Sequence, residues 1–156
     1  MSGFQEAFVS PLDSIRASTE AVDPLGTLRL ELNKMYKYVK LKLVPTADVD
    51  ATAFDQLIYT DYSEHEVGID IGDIEATNFL AGYTVAAIDM SEDKGKYLWM
   101  QIKGPVAVVG TAVTGGVAGK DFNGGTSDLT PIIVTTLTQR GGTEIGTTEV
   151  LLNCPY

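Results

Sequence analysis

A chain of 156 residues with a 44% apolar share is one domain's worth. It is long enough to bury roughly two-thirds of its unfolded surface without a disulfide or a metal. The net charge of −10, from 21 acidic and 11 basic residues, argues against nucleic acid, because phosphate binding needs a basic face. The single cysteine, Cys154, excludes an intrachain disulfide. No apolar run approaches a membrane span, and no basic-then-apolar leader opens the chain, so neither a membrane nor a signal peptide is expected.

Residues 1–23 carry Phe4, Phe8, Leu12 and Ile15 at helix-like spacing, but Pro11 interrupts the run. This segment reads as an N-terminal arm whose apolar side chains lie on its own domain or on a neighbour. From residue 24 to residue 156 the texture is β. Pro24-Leu25-Gly26 makes a turn, and Leu28, Leu30 and Leu32 alternate with Arg29 and Glu31 as in a half-buried strand. Asn33-Lys34 reads as the hairpin connection to a strand over Met35–Leu43. Met35, Val39, Leu41 and Leu43 share one face of that strand, and Tyr36, Tyr38, Lys40 and Lys42 share the other.

Short strands are predicted over Gln56–Thr60, Glu66–Ile71 and Tyr83–Ile88, with a brief helix over Glu75–Ala81 and a polar turn over Asp89–Gly95. Lys96–Lys103 and Val106–Thr114 form two strands separated by Gly104-Pro105. Gly115–Ser127 reads as an irregular connection. Strands over Ile132–Leu137 and Glu149–Leu152, with a turn at Gly141-Gly142, complete the chain. Short strands punctuated by 16 glycines point to an all-β fold, a sandwich or a jelly-roll-like barrel of antiparallel strands.

Chemistry-bearing motifs fail on spacing. The only histidine is His65, and Ile69 occupies the place where a zinc helix needs a second one. Gly115–Asp121 has Thr114 where a phosphate loop needs its first glycine and Asp121 where it needs Ser or Thr. Asp48, Asp50 and Thr52 alternate like a calcium loop, but Ala53 replaces the turn glycine and Tyr59 the closing glutamate. No serine stands in a nucleophile elbow. The expectation is a non-enzyme without cofactor or metal.

Two features carry a binding role. Lys34, Lys37, Lys40 and Lys42 concentrate four of the eleven basic residues. Tyr36, Tyr38, Lys40 and Lys42 either display an aromatic-basic face for an acidic partner, or the lysines simply protect an edge strand from aggregation. In Lys96–Lys103, Tyr97, Trp99 and Gln101 share one face and Leu98, Met100 and Ile102 the other. A strand with large side chains on both faces needs two covers, and a partner subunit is the expected second one.

Pro24–Val39 and Gly95–Pro105 resemble segments of capsid decoration, or cement, proteins of tailed bacteriophages. The shared pattern is a Pro-Leu-Gly-Thr turn, a strand reading Tyr36-x-Tyr38-Val39-Lys40, and a later strand with Gly95, Tyr97, Trp99, Gln101 and Gly104. The resemblance implies a β-rich module, usually a homotrimer, on the outer surface of a virion assembled in the host cytoplasm. Its partners would be the major capsid protein and copies of itself. Contacts are expected at Phe4, Phe8, Leu12, Ile15, Tyr36, Tyr38, Lys40, Lys42 and Trp99. A tail or head-completion component is the alternative. A carbohydrate-binding β-sandwich module, which would need Trp99 exposed in a groove, is the rival from another class.

Overall fold

The computed structural model describes residues 11–13, 15, 20–73, 80–107, 121–127, 130–133, 142–146 and 149–154. Ten strands follow one another: β1 (Leu28–Glu31), β2 (Lys34–Leu41), β3 (Gln56–Asp61), β4 (Glu66–Gly68), β5 (Leu80–Thr84), β6 (Tyr97–Ala107), β7 (Asp121–Ser127), β8 (Thr130–Ile133), β9 (Gly142–Gly146) and β10 (Glu149–Asn153). One helical turn, α1 (Met90–Asp93), is capped by Asp89, whose carboxylate accepts from the Ser91 amide. The chain is all-β.

Five strands close on themselves in the order β2-β4-β3-β5-β6, because β2 also pairs with β6. The sheet is therefore a barrel and not a two-sheet sandwich, and closure removes most of its edges. Every barrel pairing is antiparallel except β2–β4, which is parallel over Lys40–Leu41 against Glu66–Val67. Register shifts at Met35/Tyr36, Leu57/Ile58 and Tyr59/Asp61 supply the local bends that closure needs.

Alternation along β2 and β6 sets what lies inside. Val39 and Leu41 from β2 and Leu98, Met100 and Ile102 from β6 join Leu57, Tyr59, Val67, Leu80 and Tyr83 in the barrel core. The opposite parity, Tyr36 and Tyr38 with Tyr97 and Trp99, forms a second buried cluster outside the barrel wall. The division of β2 into two faces thus follows the expected pattern.

β2 and β6 each serve two neighbours along one edge. The start of β2 pairs with β1, from Glu31↔Lys34 to Leu28↔Lys37, and its end pairs with β4. β6 pairs with β5 at Met100–Gln101 and then with β10 from Lys103 to Ala107. Gly104-Pro105 consequently does not end a strand: β6 runs through it to Ala107, and the rest of the second expected strand, 108–114, lies outside the described residues. Gly104 has a positive φ of 92°, and a Cβ there would strike the Asn33 carbonyl oxygen. Glycine lets β6 bend past the β1–β2 turn and change partners.

Other expectations shift. Leu80 and Ala81 belong to β5 and not to a helix, since Leu57 and Ile58 of β3 pair across from Gly82 and Leu80. β7 occupies Asp121–Ser127, where an irregular connection was expected, and β9 starts at the supposed turn glycine, Gly142. In both, pairing with neighbouring strands overrides the poor strand propensity of glycine.

Candidate functional site

Four of the nine candidate contact residues, Leu12, Tyr36, Tyr38 and Trp99, converge on the aromatic cluster. Tyr38 lies opposite Trp99 across the β2–β6 ladder, with ring centroids 5.0 Å apart and planes tilted by 51°. Tyr97 stacks on Tyr38 at 6.0 Å and 16°. The Arg29 guanidinium of β1 sits 5.8 Å from the Trp99 ring, a cation–π distance, and pairs with Glu31 two residues on. Leu12, Leu25 and Val85 close the periphery. Tyr38 and Trp99 are fully buried.

This corrects two expectations. The second cover of the β6 strand is intramolecular, supplied by Tyr36 and Tyr38 of β2, Arg29, Leu12 and Leu25. The tyrosines of β2 do not form an exposed aromatic face, and Trp99 offers no platform for a sugar ring. Leu12 packs on this cluster and Ile15 on the barrel core, so both lie on their own domain. Phe4 and Phe8 lie outside the described residues.

The lysines part company. Lys42 forms an ion pair with Asp73 at 3.4 Å. Asp73 also accepts from the Thr46 amide and hydroxyl. Burial works against the Asp73 charge, but these bonds and Lys42 outweigh it and hold the carboxyl below its ordinary range. Lys40 is half-buried beside Tyr97 and Glu66 in the ladder. Lys37 shares the parity of Val39 and Leu41 and points inward, where its ammonium donates to the Tyr59 hydroxyl at 3.0 Å. It also lies 5.1 Å from the Tyr59 ring and 5.2 Å from the Tyr62 ring. Burial lowers its pKa. The parity of β2 was the signal for this inward lysine.

The remaining titratable groups are structural. Burial pushes the Cys154 thiol up to about 12, so it is not a nucleophile at neutral pH. His65 packs against Gly26, where a Cβ would strike its ring. Burial, then the charge of Lys37, lowers its pKa. Asp50 accepts from the Met90 amide at 2.9 Å, and Asp48 pairs with Lys94 at 3.0 Å. The acidic alternation that mimics a calcium loop thus ties the loop to α1. Among the described residues no cluster of three His, Cys, Asp or Glu is placed to hold a metal.

What the molecule does present is apolar surface. On β1, Leu28 is 45% exposed and Leu30 68%, and Leu32 in the turn that follows is 100% exposed. The expected phase is inverted: the leucines face solvent, and Arg29 and Glu31 face the aromatic cluster. β1 reaches beyond the barrel wall, and its leucine face, which continues the interior of β2, stays exposed among the described residues. A second patch, Leu43 and Val44, is exposed just beyond the other end of β2. Leu28 lies opposite Lys37, so the patches are about six residues, roughly 20 Å, apart along β2. No family model, curated protein or solved structure matches this chain.

Proposed function

We propose that this chain is a structural virion protein, a capsid decoration protein that binds the outside of a phage head and bridges capsid subunits. One observation carries the reading: two separate exposed apolar patches, one beside the first half of β2 and one beyond its end, sit on a closed barrel. A bridging protein needs two separated contact surfaces on a rigid spacer. Large exposed leucines on a small acidic domain are costly in water unless something covers them. Many copies on a symmetric lattice bind by avidity, so each contact can be small.

The resemblance to decoration proteins adds support, because its segments form one framework. The Pro24–Gly26 turn leads into β1, and Tyr38, Tyr97 and Trp99 lock β2 to β6. The test is reconstitution. Purified chain is added to heads that lack it, and the mixture is pelleted, imaged and heated. Saturable binding at a regular lattice position, together with retention of packaged DNA to higher temperature, is the expected result. No binding to heads would refute the proposal. Binding of only a few copies at one vertex would shift the assignment to a tail or head-completion part.

A further inference from the structure

We infer that the β1 edge is a self-recognition surface, on which a second copy of this chain adds its own β1 antiparallel about a two-fold axis at Leu30. The inference concerns the chain in solution; on a capsid the same β1 patch would exchange its second copy for a capsid subunit.

Three observations lead there. First, β1 pairs with β2 on one side only, and no other strand among the described residues pairs with its outer edge. The two-residue connection Leu32-Asn33 joins Glu31 and Lys34. In such a hairpin the closing pair exchanges hydrogen bonds, so Glu31 and Arg29 bond inward to β2. The amides and carbonyls of Leu28 and Leu30 then point to the open edge.

Second, the strand reads Leu28-Arg29-Leu30-Glu31-Leu32, which is complementary to itself when reversed. With Leu30 opposite Leu30 of the second copy, Arg29 meets Glu31, twice over, and Leu28 lies beside Leu32 of the other copy's turn. Leucines meet leucines on one face and opposite charges meet on the other. Cross-strand pairs of these kinds are the favourable ones in an antiparallel sheet. Shifting the register by two places breaks the charge matching, so the pattern specifies one alignment as well as one partner.

Third, Leu32 is fully exposed and has a φ of +53° at the tip of the turn. Asn or Gly would adopt that conformation at less cost, and either would be better solvated. A bulky apolar residue held in a costly conformation in water makes sense where a contact compensates for it. The pairing supplies one, since Leu32 covers Leu28 of the other copy. Lysine or proline, the usual protection of an edge strand, is missing from β1.

The interface is small and belongs to the weak end of specific association, with a dissociation constant of about 10⁻⁵ M. Sedimentation velocity of the full chain over a concentration series is the test. The wild type is expected to show a step of mass doubling. Leu30→Lys places two ammonium groups face to face at the axis and weakens the step at least ~30-fold. Glu31→Arg, which sets arginine against arginine, weakens it as well. Leu30 is exposed, so the Leu30→Lys melting temperature in dilute solution should stay within about 2 °C of the wild type. A wild type that shows no doubling up to ~100 µM, or a doubling that Leu30→Lys leaves unchanged, overturns the inference. So does an assembly of threefold order that Leu30→Lys dissolves, because a two-fold strand pairing cannot generate it.

Discussion

Truncating Trp99 to alanine tests the account of the aromatic cluster directly. The indole is fully buried between Tyr38 and Arg29. An indole buries on the order of 200 Å², which at ~25 cal/mol per Å² is about 5 kcal/mol, part of which the remaining methyl group keeps. The lost Tyr38 pair adds roughly 0.5–1.5 kcal/mol. Partial collapse of the site gives some back, so Trp99→Ala should cost about 4–5 kcal/mol, within the range for large-to-small core changes. Urea unfolding followed by far-ultraviolet circular dichroism measures this without relying on the fluorophore that the variant lacks. The midpoint should fall while the slope stays constant. In the wild type, Trp99 is the only tryptophan, and its emission should be blue-shifted and resist soluble quenchers in dilute solution. A cost below ~2 kcal/mol, or an emission that becomes buried only as concentration rises, would show that the cover of Trp99 comes from another subunit and refute the argument.

Four further outcomes follow from individual residues. Gly104→Ala should cost about 2–4 kcal/mol in chemical unfolding, from the left-handed φ and the clash with the Asn33 carbonyl together. His65 has a folded pKa below 6.5, so the unfolded chain binds the proton more readily. Stability therefore rises with pH up to about 6.5 and is penalised below. His65→Asn, which suits a φ of 54°, should flatten melting temperature against pH between about 5 and 6.5. Lys37 has a lowered pKa as well, so its burial penalty is present at neutral pH and relieved as pH climbs toward about 10.5. Lys37→Met should abolish that alkaline gain in the same assay. Cys154, buried with its thiol near 12, should resist alkylating reagents in native protein at pH 8 and react at once in denaturant, as read by mass spectrometry.

The fold was legible where periodicity met burial on both sides. β2 and β6 declare two faces each in their residue order, and the structure covers both. The parity of Met35, Val39 and Leu41 even places Lys37 inward, although charge alone suggests a surface site. What periodicity cannot convey is which strand lies beside which. The parallel β2–β4 pair, the partner change at Gly104 and the glycine-bearing strands β7 and β9 depend on distant chain segments. A Gly-Pro pair ends a strand on local physics, and only the arrival of β10 lets β6 run through it.

The candidate surface was illegible for a more instructive reason. Alternation reports that a strand has two unlike faces, but it does not say which face is buried. In β1 the usual assumption, leucines in and charges out, fails because the local competition runs the other way. Arg29 can cover the Trp99 ring with its guanidinium while pairing with Glu31, and an arginine stem hides apolar surface well. The leucines take the remaining side, over a stretch where β1 has already left the barrel. An exposed leucine row beside a half-buried arginine is therefore the signature of a strand that finishes one core and begins another. For this chain, the proposed β1 pairing would complete that second core with a second copy.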